Sequence, residues 1–307
     1  MSQIRLLTIS ICCCKIAFGK EVIRLKLWVV FIILYGIFKG LREPIKKKAL
    51  EKSGVLETLF MYTFIGFLMS VFSARDIFSL SFDCYLIIFV KSLVIFVAWI
   101  ATFKSVKALP VSLYGVIDMS RVLFSTLFGV LLLGENITVK GSISLVLVML
   151  GLYLVNLKGN SSNEDYNVKY IWVTIFSCAL NAVSGTIDKF IMSEYTISSP
   201  QLQFWFMFML SMMYFLYIVL KREKVDVKGC LTNPGIYAIS FLLVLGDRLL
   251  FVANADPESK VTIMTLLKQS SAIVTIIAGK VIYKEKNILF KMFCAGIIIF
   301  GIVLSVL

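Results

Sequence analysis

The chain has 307 residues, of which 59% are apolar and 16% are charged, with 31 Lys and Arg against 18 Asp and Glu and no histidine. Soluble globular domains have about 25% charged residues, so this composition argues against a water-soluble enzyme. The absence of histidine removes the commonest metal ligand and the commonest acid–base catalyst, so we expect no catalytic residues, no metal site and no cofactor.

The first 27 residues form an arm with three adjacent cysteines and five basic residues. No small-x-small cleavage site precedes Trp28, which argues against a signal peptide, and an anchor palmitoylated on the cysteines is a second interpretation. A third interpretation comes from codons, because Lys20 to Ile23 can be encoded by a bacterial ribosome-binding site followed by a start codon at Leu25. In that case residues 1–24 are not translated natively.

Ten apolar segments follow the arm, each close to the roughly 20 residues that cross about 30 Å of hydrocarbon. Their long, unalternating runs favour helices over the strands of a barrel. We predict an all-α polytopic membrane protein whose ten transmembrane helices cover residues 28–45, 56–74, 84–104, 110–133, 139–157, 170–191, 202–220, 235–254, 260–282 and 289–307.

A polar linker at 158–169 divides these helices into two five-helix halves, 28–157 and 170–307. Small residues one turn apart let helices approach closely in lipid. We therefore expect the fourth and ninth helices to cross at close range near the two-fold axis that relates the halves, through Ser125, Gly129, Thr275 and Gly279. Because each half has an odd number of helices, the second half must enter the membrane inverted relative to the first. An offset of 150 residues relates the last two helices of each half and pairs Ser125 with Thr275, Gly129 with Gly279, Glu135 with Glu285 and Gly151 with Gly301.

These features resemble the drug/metabolite transporter superfamily, in particular its ten-helix members built from two EamA domains. The landmarks are the Leu-Leu-Leu-Gly-Glu closure of the fourth helix at 131–135, the Tyr-Lys-Glu closure of the ninth helix at 283–285, and a glycine-containing helix after each. The second closure has Lys in place of Gly, and the proline common in the family's fourth and ninth helices is missing. The resemblance covers residues 28–307 and implies a multi-pass transporter of the bacterial plasma membrane.

Loop charge and family resemblance disagree on the orientation of the chain. The connections after the first, third, fifth, seventh and ninth helices hold most of the loop Lys and Arg, so the positive-inside rule places both termini outside. Ten-helix relatives usually keep both termini in the cytoplasm. In either orientation the basic loops account for the net charge without nucleic acid.

Ionisable residues in mid-membrane are costly and by default indicate a pathway or a site. Asp118 and Arg121 lie three residues apart on one helical face, with Tyr114 one turn before, so we expect an internal ion pair. Lys268 is the repeat counterpart of Asp118, and Ser271 is that of Arg121, so the two helices present opposite charges at one depth. The predicted substrate-binding residues are Tyr114, Asp118, Arg121, Asn181, Asp247, Lys268, Gln269 and Ser271.

A plainer interpretation is that these charges only neutralise one another in the bundle, with Asp247 paired to Arg248 or Lys268. Other charges have surface interpretations. Lys39 and Arg42 lie near a predicted helix end, so we expect them to extend towards headgroups, and we expect 46–48 to form a cytoplasmic cap. Asn181, Ser184 and Asp188 share one face of the sixth helix.

The predicted function is secondary transport, as an exporter, of a small polar metabolite such as an amino acid or another zwitterion. Arg121 or Lys268 would hold a carboxylate and Asp118 an ammonium, and the missing Walker A loop argues against direct drive by ATP. The expected partners are the small-molecule substrate, the lipid bilayer and a proton or another coupling ion, with no nucleic acid, in a monomer or weak dimer. Two alternatives stay open: an organic-cation carrier, which needs an unpaired Asp118 or Asp247 among aromatics, and a non-transporting assembly subunit.

Overall fold

The structure is a computed structural model, and it describes residues 27–73, 77–134, 139–159, 167–195, 197–222, 226–259, 263–264 and 267–306. Almost all of the predicted arm, Glu135 and most of the predicted linker lie outside the described residues. The described segments are α-helical apart from short turns, so the predicted all-α class is confirmed. In chain order the helices are α1 (Leu27–Lys52), α2 (Val55–Val71), α3 (Phe82–Ala108), α4 (Val111–Asp118), α5 (Arg121–Leu133), α6 (Val139–Gly159), α7 (Lys169–Glu194), α8 (Ser199–Lys221), α9 (Val227–Leu231), α10 (Pro234–Asn254), α11 (Ser270–Tyr283) and α12 (Ile288–Val306).

Local capping signals set several of these boundaries. Ser198 and Gln201 form a capping box at the start of α8. Asn233 accepts a hydrogen bond from Gly235 N at 3.1 Å, and Pro234 begins α10 with the backbone angle that a first helical turn needs. Gly134 ends α5 in the left-handed conformation, with φ of 65°, as is common after the last helical residue.

Five helical segments are long and apolar enough to cross a membrane by length and composition: α3, Val111–Leu131 across α4 and α5, α7, α8 and α10. The helices Val55–Val71, Val139–Val155, Ser270–Tyr283 and Ile288–Gly301 are apolar but shorter. α1 has 26 residues, but Lys39, Arg42 and Glu43 stand within its apolar stretch. These helices indicate a multi-pass membrane protein, while the count of ten spans stays a prediction.

Helix contacts between the two halves of the chain come in matched pairs. α1 packs along α10 as α3 packs along α7, and α1 packs on α11 as α5 packs on α7. α2 meets α8 and α6 meets α12, so these two contacts join helices that hold the same position in their halves, and α4 meets α11, the counterpart of α5. The halves are therefore interleaved, and both contribute to the interior.

The prediction of one continuous helix at 110–133 is wrong. α4 ends at Asp118, α5 begins at Arg121, and backbone hydrogen bonds of the i to i−3 type hold the turn between them. A turn at 268–269 with the same type of hydrogen bond precedes α11. A charged residue of the predicted site therefore lies at each tight turn: Asp118 stands directly before the turn in the first half, and Lys268 lies within the turn in the second.

Glycines let α11 approach α1 and α4 closely. A Cβ atom added to Gly40 would lie 2.6 Å from the carbonyl oxygen of Ser271, and one added to Gly115 would lie 2.9 Å from Cγ2 of Thr275. The Thr275 hydroxyl also donates to Gly40 O at 3.4 Å. Because Pro44 has no N–H to bond that carbonyl within α1, the hydroxyl replaces part of a lost helical hydrogen bond.

The predicted crossing of the fourth and ninth helices is right about Thr275 and Gly279 and wrong about their partners. A Cβ atom on Gly279 would lie 3.1 Å from Cβ of Ser112, so this face of α11 packs on α4. Ser125 and Gly129 belong to α5, which packs on α7. The division between α4 and α5 accounts for the difference, since α4 packs against α11 whereas α5 packs against α7.

Glu285 joins the second half to the N-terminus of α4. Val111 N and Ser112 N donate to its carboxylate at 2.6 and 3.0 Å, and the Ser112 hydroxyl donates to it as well. Lys291 Nζ lies 3.5 Å from the same carboxylate and donates to Ser112 Oγ at 2.7 Å. The first N–H groups of a helix have no partner within the helix, so this acid both satisfies two of them and complements the helix dipole.

Candidate functional site

A polar cavity of about 80 Å³ lies between helices of both halves. Aromatic rings form much of its wall, among them Tyr35, Tyr62, Trp99 and Phe251. Buried charges are generally paired, so the way in which the charged residues are partnered shows which of them remain available to a ligand. The charged side chains that line the cavity are Lys39, Arg42, Glu43, Lys46, Lys91, Arg121, Asp188, Asp247 and Lys268.

α1 contributes four of these charges, Lys39, Arg42, Glu43 and Lys46, on the face that also carries Tyr35. Tyr35, Lys39, Arg42 and Lys46 follow one another at spacings of three or four residues, which places them on one side of a helix. Lys39, Arg42 and Lys46 are only 5%, 8% and 3% exposed. The prediction that Lys39 and Arg42 reach headgroups is therefore wrong, and so is the cytoplasmic cap as far as Lys46 is concerned, because α1 continues to Lys52 and its polar face points to the cavity.

Asp118 is held between two cations. Arg121 Nη2 donates to its Oδ1 at 2.9 Å, so the predicted ion pair is confirmed, and Lys39 donates to its Oδ2. The thiol of Cys178 on α7 lies 3.6 Å from Oδ1. Both carboxylate oxygens are thus engaged, and Asp118 stands behind the side chains that line the cavity.

Glu43 forms a second charged cluster within α1. Lys46 Nζ donates to both of its carboxylate oxygens, at 2.8 and 2.7 Å. Arg42 Nε lies 4.0 Å from Oε1 of the same carboxylate, and it has no hydrogen-bond partner among the described residues. Lys46 is therefore well paired, whereas Arg42 lines the cavity and its Nε has only this long contact with a carboxylate.

Lys91 of α3 and Asp188 of α7 form an ion pair across two helices, with Nζ 2.5 Å from Oδ1. The ammonium also lies over two rings, 3.7 Å from the centroid of Phe206 and 4.8 Å from that of Phe251. Cation–π attraction is strongest where the cation is shielded from water, and Lys91 is almost fully buried. This pair closes the wall between α3 and α7.

Asp247 and Lys268 line the cavity without an ion pair to any side chain in the described part of the chain. Lys268 Nζ lies 5.7 Å from the ring centroid of Tyr35. Arg248, the alternative partner of Asp247, instead donates to Gln203 Oε1 at 2.7 and 2.9 Å, so that pairing is wrong. The cavity therefore presents one acid and one base whose charges are not neutralised by each other.

The structure brings most of the predicted site residues to the cavity, but not all of them. Tyr114, Arg121 and Asn181 line it with Asp247 and Lys268. Ser184 and Asp188 line it too, in agreement with the predicted face of α7. The remaining three predicted residues do not line it, since Asp118 stands behind the lining side chains, Gln269 is buried away from them and Ser271 packs on α1.

The polar face of α1 was missed by the sequence analysis. The signal was present as the regular spacing of Tyr35, Lys39, Arg42 and Lys46 through an apolar helix. The ion pair of Lys91 with Asp188 was missed as well, because the two residues lie on different helices and no sequence spacing connects them.

Three of the acids in and behind the cavity wall, Glu43, Asp118 and Asp188, are paired with cations. Within the described ranges, no group of three or more Cys, Asp or Glu side chains is placed to hold a metal ion. Cys84, Cys178, Cys230 and Cys294 are buried free thiols. The arrangement offers binding of charged organic groups through ion pairs and hydrogen bonds.

One family model matches the first half of the chain. Residues 26–157 match the model of the EamA-like transporter family, which confirms the resemblance to drug/metabolite transporters. That match and the apolar helices fit a multi-pass membrane transporter of this superfamily and suggest a non-enzymatic role.

No curated protein matches the sequence. The comparison with solved structures finds 26 matching chains. One of them, described as the crystal structure of a protein, aligns with a TM-score of 0.65 and 12% sequence identity, and the alignment covers 89% of this chain and 96% of that one. At this identity the likeness concerns the fold alone, and it extends over both halves.

Proposed function

We propose that this chain, whose first half matches the EamA-like transporter family, is a secondary transporter that exports a small zwitterionic metabolite across the bacterial plasma membrane. The observation that carries the proposal is the pair Asp247 and Lys268, which line one cavity with opposite charges and are not paired with each other. An amino acid or a related metabolite carries the complementary charges on one small frame.

In this proposal Lys268 binds the carboxylate of the substrate and Asp247 binds its ammonium group. Asp118 was the acid expected to bind the ammonium, but Lys39 and Arg121 already occupy both of its oxygens. Its role is therefore to hold Arg121 at the cavity wall. The Lys268 side chain is long and rests near an aromatic ring, so it can turn from that ring to a ligand without leaving another acid unpaired.

Transport would proceed by alternating access between two inverted five-helix halves, coupled to a proton or another ion. The matched helix contacts and the tight turns at Asp118 and Lys268 support this part of the proposal, because interrupted helices at a repeat interface form the binding site in many secondary transporters. The cavity of about 80 Å³ is smaller than the roughly 300–1,000 Å³ of typical ligand pockets, so binding would require the halves to move apart.

Counterflow in proteoliposomes tests the proposal directly. Vesicles containing the purified protein and one unlabelled amino acid should accumulate the same labelled amino acid transiently, and a survey of amino acids should find at least one that does so. Lys268→Gln and Asp247→Asn should each abolish this accumulation, since each removes the partner of one substrate charge. Lys280→Gln is the matched control, because Lys280 lies on α11 with an exposed side chain.

A variant of Lys268 or Asp247 that melts normally and transports at the wild-type rate would remove that residue from the site. The proposal would be contradicted if no zwitterion gave counterflow although a melting curve showed that the protein was folded. That result would favour a non-transporting subunit.

A second candidate, an organic-cation carrier, is favoured by one observation. Asp247 is unpaired, and Trp99, Phe206 and Phe251 lie on the wall of the same cavity, as a cation site requires. The two candidates differ in their dependence on Lys268. Lys268→Gln should leave transport of a quaternary amine intact or improved if the protein carries cations, whereas it should abolish transport of a zwitterion.

A further inference from the structure

We infer that the transported zwitterion carries a second acidic group and that Arg42 binds it. This inference rests on the proposed function, since it adds a third contact to the same site. The shared chemistry is an amino acid with an additional anionic group, either a carboxylate or a phosphate.

The first support is the state of the Arg42 side chain. It is 8% exposed, it lines the cavity, and its Nε has no hydrogen-bond partner among the described residues. Its nearest carboxylate is that of Glu43 at 4.0 Å, and Lys46 already binds both oxygens of that carboxylate at 2.7 and 2.8 Å. The Nε of this buried guanidinium is therefore available for an anion.

The second support is the charge of the cavity and of the side chains behind it. Among the described residues, six cations face four acids: Lys39, Arg42, Lys46, Lys91, Arg121 and Lys268 against Glu43, Asp118, Asp188 and Asp247. This leaves an excess of two positive charges in a buried region, where uncompensated charge is costly. A neutral zwitterion does not change that excess, whereas one additional acidic group lowers it.

The third support is the position of Arg42 relative to the two charges already assigned. α1 packs along α10, which carries Asp247, and on α11, which follows Lys268. Arg42 therefore borders the same cavity from the helix between those two elements. A guanidinium can bind a carboxylate or phosphate through two parallel hydrogen bonds, so it adds orientation as well as charge.

Binding to the purified wild-type protein tests the inference with pairs of ligands that differ only in the second acid. Glutamate should bind about tenfold or more tightly than glutamine, or phosphoserine should bind that much more tightly than serine. Whichever pair shows this preference identifies the acid as carboxylate or phosphate. Isothermal titration gives the dissociation constants, and the ligand-induced shift in melting temperature checks them.

The variant Arg42→Gln should remove the preference by weakening the acidic ligand while leaving the affinity for its neutral partner near the wild-type value. Arg222→Gln is the matched control, because Arg222 is exposed at the end of α8 and should retain the preference. If Arg42→Gln does not fold, Arg42→Lys keeps the charge but loses the planar fork, so it should reduce the preference several-fold.

Equal affinities within both ligand pairs in the wild-type protein would overturn the inference and leave the proposed zwitterion transport intact. Failure of all four ligands and of every other zwitterion to bind would instead contradict the proposed function itself. If the folded Arg42→Gln variant kept the preference for the acidic ligand over its neutral partner, another residue would bind the second acidic group and the role given to Arg42 would be wrong.

Discussion

α1 and α7 hold the same position in the two halves of the chain, yet they present different chemistry to the cavity. Both helices have 26 residues, and both direct four matched positions at the cavity. α1 places three cations and one acid there, whereas α7 places two neutral polar groups, a glycine and one acid. Aligned end to end, the matched positions are Lys39 with Asn181, Arg42 with Ser184, Glu43 with Gly185 and Lys46 with Asp188.

The comparison shows that the scaffold decides which positions face the cavity, while the residue at each position decides what it can bind. Charges on α1 bring a requirement for partners, and Lys39 finds its partner on α4. Asn181 at the matched position donates to Ser177 O within its own helix, at 2.7 Å. We therefore expect substitutions that disturb the charges of α1 to have larger effects than those at its neutral counterparts.

The largest effect is expected from Asp118→Asn, which removes the acid that neutralises Lys39. Lys39 would remain buried and Arg121 half-buried without a carboxylate, at a cost of about 3–5 kcal/mol in the free energy of unfolding. Adding Arg121→Gln should restore part of the stability, and adding Lys39→Met as well should restore most of it. Melting temperature and yield in detergent measure the series, and equal values for the single and triple variants would show that the three side chains are not coupled.

The next prediction compares the loss of stability at two matched positions, Asp188 of α7 and Lys46 of α1. Asp188→Asn should destabilise by about 3 kcal/mol, because it leaves Lys91 buried without its partner on another helix. Lys46→Gln should cost about 1 kcal/mol, since Glu43 then retains Arg42 as a nearby cation. Unfolding in detergent at constant pH ranks the two variants, and the reverse order would contradict the proposed pairing.

A smaller difference is expected from the glycines of the two helices. Gly40→Ala should destabilise by about 1–3 kcal/mol, because its Cβ would lie 2.6 Å from a backbone oxygen of α11. Gly185→Ala on α7 should be neutral or stabilising by up to about 1 kcal/mol, since no atom lies within 4 Å of its added Cβ and alanine favours the helix. Melting temperatures of the two variants provide the measurement, with loss of stability at both positions as the contrary result.

The smallest effect on folding is expected from Asn181→Ala. The hydrogen bond to Ser177 O lies within α7, so its loss should change the free energy of unfolding by no more than about 1 kcal/mol. Because Asn181 lines the cavity, the same substitution should raise the KM for transport several-fold. A strongly lowered melting temperature would show instead that this amide supports the fold.

Much of the fold could be predicted because apolar runs of membrane length dominate the chain. The span predicted at 170–191 became α7, and the one predicted at 139–157 became α6, with ends shifted by a few residues. The division between α4 and α5 could not be foreseen, since neither proline nor glycine marks it. Asp118, directly before the turn, is paired with Lys39 of α1, a tertiary contact that no local sequence pattern shows.

The site was predictable where its contacts are local and hidden where they are not. Asp118 and Arg121 are three residues apart in the sequence, and helical geometry alone brings them together. Lys39 lies 79 residues from its partner Asp118, so no spacing rule connects them. The burial of Arg42 was misjudged because the first span was expected to end at 45, whereas α1 passes through Pro44 to Lys52.

The hydrogen bonds that Glu285 accepts at the start of α4 impose an order on biogenesis. Val111 N is separated from this carboxylate by 174 positions, so the first turn of α4 is synthesised long before its cap exists. Until then its N–H groups lack their final partner, which is unfavourable in a lipid environment. We therefore expect the first half to remain incompletely assembled until the ribosome has passed Glu285, so that late-made residues complete the early-made half.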